Sequence, residues 1–138
     1  MTWLDLFTSL DGRISRMPFW IGLLALGAIE LPAHLLDDKL AAVVGLVLAY
    51  PELAVLVKRG HDRNLATWVP ALFMAGGVLL DLLTIAGFSG TPDKPSIPFL
   101  TIGLPVGVFA LILLVELGLR RGVEGPNRFG PDPLQRSA

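Results

Sequence analysis

Cysteine is absent from this 138-residue chain, which excludes disulfide bonds, thiolate metal sites and cysteine nucleophiles. Charged residues make up only 17% of the chain, against about 25% in soluble domains. The phosphate-binding loop Gly-x4-Gly-Lys-Ser/Thr and the nucleophile elbow Gly-x-Ser-x-Gly are both missing. Apolar residues are abundant at 53%, and the mean hydropathy is +0.66. This composition excludes a disordered chain, a coiled coil and a disulfide scaffold, and it indicates an integral membrane protein.

Four long apolar runs predict four membrane-spanning helices, at about residues 16–36, 40–57, 67–88 and 97–119. A spanning helix needs about 20 mainly apolar residues, and its backbone groups must pair within the segment. The first run is too long for a signal peptide and lacks a cleavage site, so it is interpreted as a retained span. The sequence thus predicts one transmembrane domain over residues 1–138, ending in a tail over 120–138.

Basic residues are segregated between the two ends of the predicted spans. The end with only Lys39 and Lys94 is predicted to face outward, because lysine and arginine favour the cytoplasmic side. The other nine basic residues are Arg13, Arg16, Lys58, Arg59, Arg63, Arg120, Arg121, Arg128 and Arg136. We therefore predict an all-α, four-helix transmembrane bundle with both termini in the cytoplasm.

Helix boundaries carry their own signals. Three prolines deep in the predicted spans, Pro32, Pro51 and Pro105, are expected to kink or break their helices. Three predicted spans start with a hydroxyl N-cap followed closely by a proline: Ser15 with Pro18, Thr67 with Pro70, and Ser96 with Pro98.

The first ten residues form a separate pattern. Thr2 and Asp5 resemble a capping box, and apolar residues recur at helical spacing at Trp3, Leu6, Phe7 and Leu10. The pattern predicts a short N-terminal amphipathic helix, which either lies in the membrane interface or packs on the base of the bundle.

Three basic segments carry a resemblance to a known family. They are Asp-Gly-Arg-Ile-Ser-Arg-Met-Pro-Phe-Trp at 11–20, Lys-Arg-Gly-His-Asp-Arg at 58–63, and Gly-Pro-Asn-Arg-Phe-Gly-Pro-Asp-Pro at 125–133. In this order they resemble the small bacterial inner-membrane family catalogued as domain of unknown function 805. Gly60 and the stretch 64–67 depart from that pattern. The resemblance implies a multi-pass protein of the bacterial inner (cytoplasmic) membrane, and it implies no activity.

The predicted cytoplasmic face holds the first group of candidate residues. We expect the three basic segments to contact one another there, with the tail folded back. Arginines can hold phosphate bidentately, although the same residues also serve as topology signals that meet anionic lipid headgroups, or as turns. The candidate ligand-binding residues are Arg13, Arg16, Arg59, His61, Asp62, Asn127, Arg128 and Asp132.

Acidic residues inside the predicted spans form the second group. Each span holds one, and such carboxylates suggest pairing or function. Glu52 and Glu116 are expected near the cytoplasmic side, paired with arginines, whereas Glu30, Asp81 and His34 fit either an ion or proton path or ordinary polar contacts. Their spacing does not match carboxylate-bundle metal sites. We therefore predict no metal site and no cofactor.

The leading hypothesis is a protein without catalytic residues whose arginine-rich face engages anionic lipid headgroups or a protein partner. A small transporter or channel subunit that uses the intramembrane acids is the alternative. A membrane enzyme acting on a lipid phosphate is the third reading, built on Arg59, His61, Asp62 and Arg128. A homo-oligomer or a membrane-protein partner is compatible with all three readings, and no nucleic-acid partner is expected.

Overall fold

The computed structural model describes residues 2–91 and 93–135, and it is mainly helical. The elements are α1 (Trp3–Thr8), α2 (Arg16–Leu36), α3 (Asp38–Asp62), α4 (Trp68–Ile85), β1 (Gly90–Thr91), β2 (Lys94–Pro95), α5 (Ile97–Leu113) and a π-helical segment (Leu114–Leu119). Four helices are long and apolar enough to cross a membrane: α2, α3, α4, and α5 taken together with the π-helical segment. The prediction of four helices of membrane-spanning length and composition is confirmed, and this indicates a multi-pass membrane protein.

Helix α3 is the centre of the packing. It contacts α1, α2 and α4, while α4 contacts α5 and the π-helical segment returns to α2 and α3. The buried apolar core comprises Leu6, Ile14, Phe19, Leu26, Val55, Leu56, Leu113 and Leu117. Much of the remaining apolar surface is exposed, most of all on α5. Such a large exposed apolar surface is typical of helices that face lipid.

The helix-boundary predictions are partly confirmed. The Ser96 hydroxyl accepts a hydrogen bond from the Phe99 amide, but the side chains of Ser15 and Thr67 cap no helix. The helices continue through the three interior prolines, so the prolines do not break them, and the alternative expectation of a kink stays a prediction. Neighbouring helices compensate for the lost hydrogen bonds in such positions. A two-strand hairpin, β1–β2, was not anticipated in the loop between α4 and α5.

Helix α1 packs against α3. Its predicted capping box is present, with Thr2 and Asp5 exchanging side chain-to-backbone hydrogen bonds. Leu6 is 1% exposed within the core, whereas Trp3 is 64% exposed. The Tyr50 hydroxyl of α3 donates to the Thr8 carbonyl oxygen at 2.9 Å. These contacts match the second of the two sequence hypotheses, a helix packed on the bundle.

Candidate functional site: the arginine-rich end

One end of the bundle collects the three basic segments. The arginine-rich end is defined here as residues 11–16, 58–64 and 116–135. A buried carboxylate lies at its centre: Asp62 is 3% exposed, and its two oxygens accept from different arginines. Arg13 Nη2 is 3.0 Å from Asp62 Oδ1, and Arg59 pairs with the other oxygen. Buried ion pairs need further hydrogen bonds to offset their loss of hydration, and both arginines have them.

The two arginines tie the C-terminal tail and the π-helical segment to the bundle. Arg13 donates to the carbonyl oxygens of Val123 at 2.6 Å and Gly125 at 2.7 Å. Arg59 Nε donates to the Leu117 carbonyl oxygen at 2.6 Å. A π-helical turn departs from the regular helical hydrogen-bond pattern and is frequent at functional sites. Here the carbonyl oxygens around the turn accept hydrogen bonds from arginine side chains.

Lys58 has a structural contact as well. Its ammonium is fully buried and donates to the carbonyl oxygens of Asp5 and Leu6, at the C-terminal half of α1. The Asp5 carbonyl oxygen also accepts from the Ser9 amide, and a cation near the C-terminal end of a helix is electrostatically favourable. Lys58 therefore fastens α1 to α3.

His61 is enclosed by protein groups. Its Nδ1 lies 3.1 Å from the Gly12 carbonyl oxygen, and its Nε2 lies 2.9 Å from the Thr67 hydroxyl. Phe129 stacks on the imidazole with ring centroids 3.8 Å apart. His61 and Asp62 lie in the last turn of α3, which ends at Asp62. With both ring nitrogens occupied, the geometry gives no support to a catalytic role for His61.

The tail folds back, as predicted. Asn127 Nδ2 donates to the His61 carbonyl oxygen at 2.9 Å, and Arg128 donates to the Asn64 carbonyl oxygen at 3.1 Å. The Asp132 carboxylate accepts from the backbone amides of Leu134 and Gly125, and these bonds lower its pKa. The expected contact among the three basic segments is confirmed. Ligand binding by their residues stays a prediction.

Glu116 and Glu52 differ from each other. Glu116 pairs with Arg63 at 2.7 Å and with Arg120 at 2.8 Å, so the expected ion pair is confirmed, and Arg63 is a partner that the sequence did not single out. Within residues 2–91 and 93–135, Glu52 forms no ion pair with an arginine, and that expectation is wrong. It instead lines a cavity together with Glu30.

The other intramembrane acids share a cavity with Glu52. A cavity of about 130 Å³ between α2, α3 and α4 is lined by Glu30, His34, Glu52 and Asp81. His34 and Asp81 also line a second cavity of about 440 Å³, at the end opposite the arginine-rich end. Among the described residues, no group of three His, Asp or Glu side chains is arranged to hold a metal ion. The sequence placed Glu52 near the arginines, whereas the fold places it among acids.

A surface groove runs beside the start of α2. Its polar part is a cavity of about 240 Å³ that includes Arg16, Arg121 and Glu124 in its lining, and its apolar part is a cavity of about 510 Å³ that includes Trp20 and Leu119. Ser15, Arg16 and Leu134 line both parts. Within the described chain, Arg16, Arg121 and Arg128 take part in no ion pair, and all three are exposed.

Comparisons with known proteins agree with the sequence motifs. The chain matches the family described as "Protein of unknown function (DUF805)" over residues 7–131. It is 33% identical over 132 residues to "Uncharacterized protein YiiR" of Escherichia coli K12, covering 90% of this chain and 85% of that protein. The protein of the same printed name from Escherichia coli O157:H7 matches to the same extent. No solved structure matches. Because the family match covers most of the chain, the chain belongs to the DUF805 family.

Proposed function

We propose that this is a multi-pass protein of the bacterial inner membrane, with both termini in the cytoplasm, whose arginine-rich end binds the phosphate groups of membrane lipids. One observation carries the proposal: Arg16 lies where the polar part of the groove meets its apolar part. Arg13 and Arg59 are buried and bonded to protein groups, so they hold the end together. Arg16 and Arg121 keep guanidinium donors for a ligand.

The chemistry of the groove favours a lipid over a protein partner. Guanidinium groups bind phosphate through paired, charge-assisted hydrogen bonds. Basic residues beside a membrane also attract lipid headgroups, at about 1 kcal/mol per residue. The apolar side of the groove is lined by Met17, Trp20 and Leu119, on helices of membrane-spanning length. A molecule with a phosphate head and a hydrocarbon tail matches both parts.

The test compares two double variants with the same change in charge. Arg16→Gln with Arg121→Gln removes the exposed arginines of the groove, and Lys39→Gln with Lys94→Gln removes two cations from the opposite end. The protein is purified in mild detergent, and the phospholipid that remains bound is measured as phosphate per protein. We expect the arginine variant to lose most of the bound phospholipid and the lysine variant to keep it. Equal retention in the two variants would refute the proposal.

The proposed orientation has a separate test. A reporter fused at Arg136, which lies outside the described residues, is expected to be accessible from the cytoplasm. A reporter inserted near Thr91, in the β-hairpin, is expected to be accessible from the other side. Finding both reporters on the same side would contradict the four-span topology.

A second candidate function is ion or proton movement through the intramembrane acids. The cavity lined by Glu30, Glu52 and Asp81 is called the acid-lined cavity here. The observation in favour of ion or proton movement is that Asp81 and His34 line both this cavity and the larger cavity at the end of the bundle opposite the arginine-rich end. Proteoliposomes would show a cation or proton flux that disappears in Glu52→Gln and persists in Glu124→Gln. An unchanged flux in Glu52→Gln, or none in the unmodified protein, would exclude this function.

A further inference from the structure

We propose that the groove beside α2 holds one aminophospholipid, of the phosphatidylethanolamine class, with its acyl chain on Trp20, its phosphate at Arg16 and its ammonium near Glu124 and Asp132. The inference rests on the proposed lipid-binding function and adds the identity of the lipid. It goes beyond charge attraction at the membrane surface, because the two parts of the groove recognise different parts of one molecule.

The apolar part is shaped by Trp20. The indole N–H donates to the Gly118 carbonyl oxygen at 3.2 Å, which fixes the ring across the gap between α2 and the π-helical segment. The ring lies so close to Gly118 that a methyl group there would overlap it. Met17 and Leu119, both exposed, also line this part of the groove. The resulting cavity of about 510 Å³ contains one charged residue, Arg16, and otherwise suits a hydrocarbon chain.

Arg16 marks the position of the phosphate. It lines both cavities, so a group bound to it lies at the junction between chain and headgroup. Within the described chain, its guanidinium donates one hydrogen bond, from Nη1 to the Leu119 carbonyl oxygen at 3.3 Å. The other guanidinium N–H groups remain free for the paired hydrogen bonds that a phosphate accepts.

The polar part carries charges of both signs. Three arginines and three carboxylates line it, namely Arg16, Arg59, Arg121, Asp62, Glu124 and Asp132. Asp62 is held between the buried Arg13 and Arg59, so its carboxylate is already paired within the protein. Past Arg16, the cavity then presents Arg121 together with two carboxylates, Glu124 and Asp132. A purely anionic headgroup would meet like charges there, whereas an ammonium group finds acceptors.

The experiment measures which lipid the protein selects. The protein is purified from membranes containing equal amounts of phosphatidylethanolamine and phosphatidylglycerol, and the retained lipid is identified by native mass spectrometry. We expect phosphatidylethanolamine to be retained about threefold to fivefold over phosphatidylglycerol, the effect of one partly exposed ion pair. Glu124→Gln is expected to bring that ratio close to one with total lipid unchanged, and Arg16→Gln to lose both lipids. Two controls outside the groove, Asp11→Asn at the same end and Lys39→Gln at the opposite end, are expected to keep the ratio.

A second measurement avoids any variant of the charged residues. Because the chain has no cysteine, Met17→Cys places a single fluorophore in the groove, and Leu72→Cys places one on an exposed part of α4. We expect lipids with brominated chains to quench the Met17 position with the same preference for phosphatidylethanolamine, and the Leu72 position without preference. Retention of phosphatidylglycerol in place of phosphatidylethanolamine, or no preference at Met17, would overturn the aminophospholipid assignment and leave the proposed function standing. No retained phospholipid at all would overturn both.

Discussion

The arginine-rich end and the acid-lined cavity differ in whether their charged groups are paired with groups of opposite charge. At the arginine-rich end, the Asp62 carboxylate is held between two arginines, and backbone carbonyls accept most of the remaining N–H groups. In the cavity, Glu30, Glu52 and Asp81 lie together, and none of them forms an ion pair within the described residues. The first arrangement supports the fold. The second places three carboxyl groups side by side, where like charges repel one another, and we expect it to add little to stability.

The largest expected effect tests whether Asp62 organises the arginine-rich end. Asp62→Ala leaves the buried Arg13 and Arg59 without their carboxylate, and removal of one partner from a buried ion pair costs about 3–5 kcal/mol. We expect that loss in the free energy of unfolding, measured by denaturation in mixed detergent micelles. Asp11→Ala, an exposed carboxylate nearby, is the control and is expected to have little effect. Similar stabilities for the two variants would show that the buried Asp62 carboxylate stabilises the fold no more than the exposed Asp11 carboxylate does.

The next effect concerns packing on Asp62. Gly122 lies against that carboxylate, and a methyl group added there would overlap it. Because Arg13 and Arg59 hold Asp62 in place, the overlap cannot be relieved cheaply. We expect Gly122→Ala to lower the free energy of unfolding by about 1–3 kcal/mol, the usual cost of overpacking. Gly27→Ala is the control, since nothing lies near the added methyl group in α2. Equal stabilities would show that Asp62 moves freely.

A smaller effect compares one acid from each region. Glu116 is paired with Arg63 and Arg120 and is partly exposed, so Glu116→Gln is expected to cost about 1 kcal/mol or less. Glu52→Gln removes a charge from among other acids, so it is expected to leave the unfolding free energy unchanged or to raise it. The same denaturation assay measures both variants. A loss of stability in Glu52→Gln as large as that in Glu116→Gln would show that the acids also support the fold.

The same contrast shows what the sequence can and cannot predict. The spans follow from local hydropathy, and the convergence of Arg13, Asp62 and Asn127 follows from topology, because alternate connections of a four-span chain emerge at the same end. The neighbours of Glu52 were missed for a physical reason. Depth along α3 can be counted from Lys58, but the direction in which Glu52 points depends on how α3 rotates against α2 and α4. A helix that is apolar on all sides carries little signal for that rotation.

The π-helical segment was missed for a related reason. Residues 114–119 continue the apolar run of α5, so hydropathy predicts an ordinary helix there. The structure shows carbonyl groups of this segment accepting hydrogen bonds from Arg59 and Trp20. Those donors come from α3 and α2, far away in the sequence. The distortion thus depends on tertiary contacts, which no local pattern reports.

The smallest effect concerns the edge of the arginine-rich end, where the tight network gives way to surface contacts. Arg128 is exposed, donates to the Asn64 carbonyl oxygen and lies 4.6 Å above the Phe129 ring. An exposed cation–π contact contributes about 0.5–1 kcal/mol. We therefore expect Arg128→Ala to lower the unfolding free energy by about that amount. The control is Arg136→Ala, the same substitution at a position outside the described residues. Since Phe129 also stacks on His61, loss of Arg128 loosens the layer that covers the imidazole. Equal stabilities for the two variants would mean that Arg128 adds nothing to the contacts that Arg13, Asn127 and Phe129 make with the bundle.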